Sequence, residues 1–539
     1  MSYSGRNNDH VVFDLEDDIS RALNPSRRRL LQTLVAGTGL ATLGGLVPRG
    51  ALAAGGDLVI ALPNNPSTFD PTGQANHDAM VVTQTIFENL IQVDPDGNLQ
   101  PQLAKALPAI SNGDKTYIFD LRDDVSFQNG QRFSAEDVKY SFDWVLDPAN
   151  KALRRPLFDR IDKVTIESKY RVRFDMREPY RPWLYYMTKY MGIFPVGSRE
   201  KYDANYFKSG PIGLGTGPGI FVEWKQNDRV VLRKNPNYWR KGVPGWDRVI
   251  VRTIPDESAR LAYLLTGNVD IISAPNPKDF AQLKHKQGIS AAERLAYGGW
   301  FFLMLNDKKP PFDDVNVRRA IACAIDRDML AKKVYYGMVE PATIPAPPQG
   351  WWFDKSANEI NQYNKTRAKE FLKRSKYPGG AEFDMLVPSQ PYLVDVKDAA
   401  VVIQAELAEL GLRVNIKEME QGILLQQTRL GNHVSALQCW MSPGEPTYMI
   451  DLCYGKDNVF SKSSGYDNEK AWRLIDETYR FTDQATLKPI FAKLLTQLAL
   501  DSPHVWLGFV FASNAWRNDV HGFKVNQGLT MRIADVTKG

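Results

Sequence analysis

Patterns typical of β-strands alternate with patterns typical of helices along most of this chain, and they fall into two blocks. Strand-like runs lie at 57–62, 116–121, 164–167, 171–175, 230–233, 249–253, 300–306, 382–387, 412–418 and 505–511. Helical runs lie at 258–266, 315–334, 395–410 and 486–500. Strands separated by helices in this way indicate α/β lobes.

Length and composition allow such a chain to bury more than one core. The 539 residues are 43% hydrophobic and 24% charged, which excludes a disordered or collagen-like chain. A chain of this size holds roughly two to four domains or one large bilobal body. The 67 basic and 62 acidic side chains nearly balance, without a long run of one sign, which argues against a dedicated nucleic-acid-binding protein.

Three short patterns have a local structural interpretation. Ser134 followed by Asp137 predicts a capped helix N-terminus. The segment 93–99 predicts a hairpin tip. The glycine-rich segment 213–219 contains a proline, Pro218, and is not followed by the Lys-Ser/Thr pair of a phosphate-binding loop. We therefore expect it to form a tight loop that enters a strand.

The first 53 residues are typical of an export signal rather than of a folded domain. Arg27, Arg28 and Arg29 precede an uncharged, weakly apolar stretch at 30–47, and small residues at 51–53 resemble a cleavage site. A membrane anchor is excluded because a spanning helix needs about 20 strongly apolar residues. We therefore expect residues 1–53 to be a twin-arginine signal peptide that is cleaved near Ala53, leaving a soluble periplasmic protein.

Cysteine and histidine are too sparse for common disulfide and metal frameworks. Cys323, Cys439 and Cys453 are the only cysteines; the last two are the nearer couple, and whether they pair stays open. Neither His-Glu-x-x-His nor Gly-x-Ser-x-Gly occurs, and no two histidines have metal-ligand spacing. The histidines are His10, His77, His285, His433, His504 and His521. The sequence therefore predicts a protein that is not an enzyme and holds no cofactor.

Five stretches resemble a known family in order and in spacing. They are 68–71 (TFDP); 87–90 (FENL) with 96–104; 127–138; 215–218 (GTGP) with 233–239; and 305–306 with 311–315 and 317–320. The family is that of the extracytoplasmic solute-binding proteins of the peptide/opine/nickel type, the binding receptors of ATP-driven importers. The resemblance covers essentially all of residues 57–539.

The resemblance implies an α/β fold of the bilobal periplasmic-binding-protein type II, with an extra subdomain in the first lobe. Lobe I would span 54–299, with the subdomain at about 94–205; lobe II would span 300–504, and 505–539 would return to lobe I. Such a receptor closes around its ligand at a hinge, because contacts made with both lobes favour the closed state.

The same resemblance implies the partners. They would be a small molecule or short peptide as ligand, an inner-membrane ABC permease with its ATPase, and the twin-arginine export machinery, and the receptor would be a monomer. A ligand receptor that serves no importer, or a chaperone-like binder, is the alternative. Nickel chelates and haem, which some relatives bind, are disfavoured because the sequence has no compact His/Cys cluster.

Ligand selection departs from the pattern of the peptide-binding members. Those members carry an acidic residue four positions before the Pro of a Glu/Asp-Pro pair, where it binds the ammonium group of the ligand. Here the pair is Glu445-Pro446, and the corresponding residue is Ser442. A hydroxyl stabilises a desolvated ammonium less than a carboxylate does. Peptides with a free N-terminus are therefore less favoured, unless Asp78, Asp451 or Glu445 replaces the missing acid.

Other residues are expected at the cleft from the family's spacing. Asn76 and His77 would face it from the first lobe. Trp300, near the crossover, and Trp440, beside the missing acid, are candidate stacking walls, with core packing as the alternative for both. The candidate ligand-binding residues are Asn76, His77, Trp300, Trp440, Met441, Ser442 and Phe511.

Overall fold

The computed structural model describes residues 56–73, 77–389, 396–441, 444–481, 483–528 and 530–539. Its strands are β1 (Asp57–Leu62), β2 (Ile91–Val93), β3 (Leu99–Pro101), β4 (Ala109–Ser111), β5 (Thr116–Asp120), β6 (Ile161–Ser168), β7 (Arg171–Met176), β8 (Gly219–Lys225), β9 (Arg229–Lys234), β10 (Arg248–Thr253), β11 (Ile271–Ser273), β12 (Ile289–Leu305), β13 (Val339–Pro341), β14 (Ala381–Pro388), β15 (Leu412–Met419), β16 (Ser435–Met441), β17 (His504–Arg517), β18 (Val520–His521) and β19 (Thr537–Lys538).

The helices of the same residues lie mainly between these strands. The α-helices are α1 (His77–Ile86), α2 (Ala135–Leu146), α3 (Trp183–Tyr190), α4 (Ser198–Lys201), α5 (Ala204–Ser209), α6 (Glu257–Leu265), α7 (Pro277–Leu283), α8 (Val315–Ala324), α9 (Arg327–Met329), α10 (Lys355–Glu359), α11 (Lys365–Lys373), α12 (Lys397–Ala408), α13 (Gln421–Arg429), α14 (Pro446–Tyr454), α15 (Val459–Ser464), α16 (Glu469–Tyr479) and α17 (Gln484–Asp501). Two short 3₁₀ helices (Pro148–Asn150 and Arg155–Leu157) and a π-helical turn (Leu330–Val334) accompany them.

One mixed sheet of eleven strands connects both blocks of the described chain. Its strand order is β15-β14-β16-β12-β17-β11-β1-β10-β9-β8, and β13 also pairs with β17. The central strands β12 and β17 are the longest and pair antiparallel. Strands from residues 57–273 lie on one side of this pair, and strands from residues 381–441 lie on the other. The alternating blocks predicted from the sequence therefore share one sheet.

A second sheet forms the centre of a separate subdomain. Its four antiparallel strands have the order β4-β5-β7-β6. Aromatic rings fill its core: Tyr117 packs edge-on against Trp183 of α3 at 5.0 Å between centroids, and Phe142 of α2 packs against Phe174 at 4.8 Å. Each fully buried ring of this size contributes about 1.5–3 kcal/mol of transfer free energy. Burial of apolar surface thus fixes α2 and α3 on this sheet.

The local patterns of the sequence have the predicted structures. The Asp137 carboxylate accepts a hydrogen bond from the Ser134 backbone N–H at 2.9 Å, and the Ser134 hydroxyl accepts one from the Glu136 backbone N–H at 3.2 Å. The glycine-rich segment forms a loop that enters β8 at Gly219. Strands β2 and β3 form the predicted hairpin.

Strand β12 is much longer than the strand predicted at 300–306. It starts at Ile289, and its pairing with β17 shifts register between Leu295 and Trp300. The indole N–H of Trp300 donates a hydrogen bond to the Tyr297 carbonyl inside this irregular segment, at 3.0 Å. A second register shift lies between Phe301 and Phe302. Because such irregularities interrupt the alternation of inward and outward side chains, the sequence pattern predicts only the carboxyl-terminal part of this strand.

The prediction of one continuous helix at 315–334 is wrong. Helix α8 ends at Ala324, Ile325 is extended, and Asp326 caps the following turn. At this break the buried guanidinium of Arg327 donates a hydrogen bond to the Trp506 carbonyl at 2.6 Å. The helical spacing of apolar residues continues through residues 325–326. The helix nevertheless ends there, because Arg327 forms a hydrogen bond with a strand that is distant in the sequence.

Two of the motif stretches meet at one buried carboxylate, that of Glu88. Its side chain is 1% exposed. It accepts hydrogen bonds from Tyr238 Oη at 2.8 Å, Trp239 Nε1 at 2.9 Å, Thr216 Oγ1 at 2.9 Å and Gln102 Nε2 at 3.3 Å. Burial raises the pKa of Glu88, while these four donors oppose the shift. The carboxylate therefore fastens four distant segments together.

Close backbone contact explains two further motif glycines. A Cβ atom on Gly215 would lie 1.9 Å from the carbonyl oxygen of Ile86, and one on Gly217 would lie 2.4 Å from that of Thr85. Any other residue would push this loop away from the end of α1. The motif residue Asp70 is likewise structural, since it forms a two-pronged ion pair with Arg199 at 2.7 and 3.0 Å.

The three cysteines are free, buried thiols, so Cys439 and Cys453 are not bridged. Burial raises the pKa of both thiols. Among the helices of the described residues, none has the length and apolar character needed to cross a membrane.

Candidate functional site

A buried ion pair joins the subdomain to the helices that follow β16. The guanidinium Nη1 of Arg181, just before α3, lies 3.4 Å from Oε1 of Glu445. Glu445 also caps α14 by accepting a hydrogen bond from the Tyr448 backbone N–H at 2.9 Å. Burial raises the pKa of Glu445, although Arg181 opposes the shift. The pair connects the subdomain to the segment that carries the expected ligand anchor.

Aromatic packing extends the same interface. The rings of Tyr186 and Tyr448 lie 4.8 Å apart, and those of Tyr180 and Tyr479 lie 5.1 Å apart. The guanidinium of Arg160 lies 4.1 Å above the Tyr180 ring and 5.2 Å from the Tyr479 ring. Apolar burial and cation–π contacts therefore hold the two sides together.

The candidate wall Trp300 lies in the core of this structure. Its side chain is completely buried, with its ring 4.7 Å from that of Trp506 and 6.1 Å from that of Phe509. This arrangement fits the packing alternative, and a ligand contact at Trp300 stays a prediction.

Trp440 is also buried, but it lies nearer to the interface. Its ring packs edge-on against Phe302 at 5.2 Å and lies 4.5 Å from Phe460. Its indole N–H donates a hydrogen bond to Gln438 Oε1 at 3.0 Å. Its ring therefore belongs to an aromatic layer, and its part in ligand binding stays a prediction.

Phe511 is half-buried and lines a small cavity at the carboxyl end of β1. The space is about 40 Å³. Its polar lining includes Asp78, Asn526 and Thr530. The Asn526 Nδ2 and Thr530 Oγ1 atoms are buried without a hydrogen-bond partner among the described residues. A water molecule occupies about 30 Å³ in the liquid, so the cavity suits one small polar group.

Asp78 is the acid of this cavity. Its Oδ2 accepts hydrogen bonds from the backbone and side-chain N–H groups of Asn64, both at 3.0 Å. Burial raises its pKa to about 6, and the Asn64 bonds and the Arg260 charge oppose the shift. Lys524 also lines the cavity. Of the other two candidate acids, Glu445 is paired with Arg181, and Asp451 is buried, which raises its pKa.

The remaining candidates lie at or outside the limits of the described residues. Asn76 and Ser442 lie outside them. His77 is the first residue of α1 and Met441 the last of β16, and only their backbone is described. The roles of these four residues stay predictions.

The sequence and the fold of this chain both resemble those of known binding proteins. The sequence model of the bacterial extracellular solute-binding proteins, family 5, matches residues 98–461.

The chain belongs to this family.

Relatives of this family 5 protein match it along most of their length. It is 26% identical over 509 residues to the di/tripeptide-binding protein 1 of Pseudomonas aeruginosa, covering 87% of this chain and 92% of that one. It is 28% identical over 494 residues to the glutathione-binding protein GsiB of Escherichia coli, covering 89% and 94%.

A solved structure shares the fold. The ABC transporter-associated periplasmic binding protein DppA of Helicobacter pylori, in complex with the peptide STSA, matches with a TM-score of 0.80 at 26% identity. The match covers 90% of this chain and 98% of that chain. The expected bilobal α/β fold with an extra subdomain is confirmed, while the exact lobe boundaries stay predictions.

Metal ligation has no obvious place in the part of this family 5 protein that the structure describes. No group of three or more His, Cys, Asp or Glu side chains there could hold a metal ion. Two histidines are deeply buried, and burial lowers the pKa of His433 to about 4 and that of His504 to about 3. Their rings are thus neutral near pH 7.

Sequence reasoning missed the polar atoms that line the cavity beside Phe511. Asn526 and Thr530 follow the last long strand and belong to no motif. No pattern pointed to them, because side chains from residues 62–81 and 511–531 meet only in the folded chain. Asp78 was an alternative anchor on grounds of charge alone.

Proposed function

We propose that the chain is the periplasmic solute receptor of an ABC importer and closes around a peptide or a peptide-like or opine-like solute. The observation that carries this proposal is the fit to the peptide-bound Helicobacter pylori DppA over 98% of that chain. The buried contact between Arg181 and Glu445 supports closure, because a receptor closes when its two sides make favourable contacts together with the ligand. In this proposal the protein binds and delivers its solute without chemical change.

A thermal-shift screen tests this function. The probes are free peptides, N-blocked peptides, glutathione, opines and sugars, added to the protein without residues 1–53. A ligand at about 100 times its dissociation constant stabilises a one-site protein by about 2.7 kcal/mol. We expect hits among peptides or opines; hits among sugars alone would contradict the proposal.

The carboxylate of Asp78 binds the solute's ammonium group in place of the acid missing at Ser442. We expect Asp78→Asn to weaken binding of free-amino peptides by about 10- to 100-fold, since a charge-assisted hydrogen bond is worth about 1.5–3 kcal/mol. Calorimetry measures the loss. The matched control is Asp256→Asn, which changes a helix cap outside the cavity. Unchanged affinity in Asp78→Asn would contradict the role.

Affinity for these peptides is expected to depend on pH through the same carboxyl group. The pKa of Asp78 is raised to about 6, and an ammonium binds only the ionised form. Affinity therefore rises as pH increases through 6 and falls by about tenfold between pH 7.5 and pH 5. Asp78→Asn removes this dependence. The charged groups that face Asp78 are Arg260 and Lys524.

Export through the twin-arginine route belongs to the proposal, and it rests on residues 1–53, which lie outside the described residues. We expect Arg27→Lys combined with Arg28→Lys to retain the precursor in the cytoplasm, because that machinery reads the arginine pair. Cell fractionation measures the distribution. The control is Arg6→Lys, upstream of the pair. Periplasmic recovery of the double variant at wild-type level would contradict the route.

A further inference from the structure

Two buried polar side chains of the cavity beside Phe511 have an atom without a hydrogen-bond partner among the described residues. The atoms are Nδ2 of Asn526 and Oγ1 of Thr530, and each side chain is 4% exposed. Both residues line the cavity. Because a buried polar atom without a partner destabilises a folded chain, we expect these two atoms to pair with a group from outside the chain.

The amide of Asn526 has a defined orientation. Its Oδ1 accepts a hydrogen bond from the Gly528 backbone N–H at 2.7 Å. The atom without a partner is therefore the NH₂ nitrogen, which can only donate. The hydroxyl of Thr530 can donate or accept. An occupant of the cavity must consequently offer an acceptor to Asn526.

The lining also contains an acceptor. The Asp78 carboxylate accepts two hydrogen bonds from Asn64, both at 3.0 Å, and a carboxylate accepts about four in all. Lys524 lines the cavity as well, but its side chain is exposed to solvent. The buried part of the lining thus combines a fixed donor, a hydroxyl and a carboxylate.

The main sheet holds the walls of the cavity in place. Ser273 of β11 pairs with Asn514 of β17, and the Ala274 backbone N–H donates a hydrogen bond to the Ser513 carbonyl at 2.9 Å. The Asn514 side chain donates a further hydrogen bond to the Ile272 carbonyl at 3.3 Å. Walls fixed in this way cannot move apart for a larger group, so the cavity selects by size as well as by hydrogen bonding.

Three kinds of solute group can be compared with this lining. An ammonium group offers no acceptor to Asn526, and a carbonyl oxygen turns its lone pairs towards the Asp78 carboxylate. A hydroxyl group accepts from Asn526 and donates to Asp78 at the same time. The space of about 40 Å³ suits such a group, since a water molecule occupies about 30 Å³ in the liquid.

We propose that this cavity binds a hydroxyl group of the solute, next to the ammonium group that Asp78 binds. The inference rests on the proposed function and names the solute class: an amino alcohol, such as a peptide that begins with serine or threonine, or a hydroxylated opine. Asn526 and Thr530 are then specificity-determining residues, because a solute without the hydroxyl leaves their polar atoms unsatisfied.

The first experiment uses two amines of equal charge and nearly equal size. Ethanolamine carries a hydroxyl where propylamine carries a methyl group; both are added up to about 100 mM, because such small fragments bind weakly. We expect ethanolamine to raise the unfolding temperature of the protein without residues 1–53 more than propylamine does, and Thr530→Val to reduce this difference. Equal responses of the wild type to the two amines, or an unreduced difference in Thr530→Val, would overturn the proposal.

The matched control is Thr165→Val. Thr165 lies on β6 and also has a buried hydroxyl without a partner among the described residues, but it does not line the cavity. This variant should keep the wild-type difference between ethanolamine and propylamine. A reduction as large as that in Thr530→Val would show that the effect does not come from the cavity, which contradicts the proposal.

Stability separates solute selection from a structural role. Thr530→Val keeps the shape of the side chain and removes an unsatisfied polar atom, so the unliganded variant should unfold at the wild-type temperature or above it. A lower unfolding temperature would mean that the hydroxyl of Thr530 supports the fold, against the proposal. Asn526→Asp is a second variant: it keeps the oxygen that binds Gly528 and replaces the donor with an acceptor, so it should also reduce the preference for ethanolamine.

The second experiment compares the peptides Ser-Thr-Ser-Ala and Ala-Thr-Ser-Ala by calorimetry. They differ by one hydroxyl group beside the terminal ammonium. The wild type should bind the serine peptide about 10- to 100-fold more tightly, and Thr530→Val should reduce this ratio by about 3- to 10-fold.

The outcomes distinguish the hydroxyl site from the proposed function. Equal affinity of the wild type for the two peptides would mean that water fills the cavity beside either of them, which overturns the hydroxyl site and leaves the receptor function standing. An ethanolamine effect that depends on Thr530, without binding of any peptide or opine, would uphold the hydroxyl site and contradict the proposed function.

Discussion

Replacing Glu88 with alanine is expected to lower the free energy of unfolding by about 3–5 kcal/mol. The carboxylate is 1% exposed and accepts hydrogen bonds from Gln102, Thr216, Tyr238 and Trp239. Removing it leaves four donors buried without their acceptor, and each unsatisfied donor costs about 1–3 kcal/mol before water or neighbouring groups compensate. Urea unfolding followed by tryptophan fluorescence and circular dichroism measures the loss.

Two matched variants show whether the loss of stability in Glu88→Ala comes from the buried carboxylate. Glu88→Gln keeps the shape and one carbonyl oxygen but presents an NH₂ group to donors, so about half of the loss is expected. Glu370→Ala removes an exposed glutamate of α11, with an expected change within about 0.5 kcal/mol. A loss below about 1 kcal/mol in Glu88→Ala would show that the motif residues do not depend on this carboxylate.

Replacing Trp300 with alanine is expected to cost about 3–5 kcal/mol of stability, because it opens a large cavity in a packed core. The ring is completely buried against Trp506 and Phe509, and its N–H bonds to the Tyr297 carbonyl within the irregular part of β12. Denaturant unfolding measures the change, and calorimetry under conditions where the variant is folded measures ligand affinity.

Trp300→Phe separates packing from hydrogen bonding at this position. It keeps an aromatic ring and loses the indole N–H, so we expect a smaller loss of about 1–2 kcal/mol. Tyr336→Ala, at an exposed turn, is the control with little expected effect. A stable Trp300→Ala variant with strongly weakened ligand binding would place the ring in the cleft and contradict its role in the core.

The residues that made the family recognisable are mostly structural. Glu88, Asp70, Gly215 and Gly217 fasten or closely pack segments that are distant in the chain. These contacts require each residue at a fixed position in the chain, so the residues form motifs that can be recognised in the sequence. The residues proposed to select the solute have no such fixed spacing, so the sequence offers Asp78 only as one of three possible replacements for the acid missing at Ser442.

Local patterns determined the regular elements well. The capping box at Ser134, the hairpin at 93–99 and the regular strands depend on neighbours within a few residues, so their residue types are sufficient to predict them. Predictions failed where distant partners act: the break after α8 depends on Arg327 and Trp506, which lie 179 residues apart.

The sequence by itself determined the alternation of strands and helices and the family, because these depend on periodicity and on motif spacing. The export signal stays a prediction from the sequence. Only the tertiary structure decided that Arg181 meets Glu445 across 264 residues and that Asp78 and Phe511 share one cavity. The physical reason is that burial and electrostatic environment arise from segments brought together by folding, and no local pattern of residues records them.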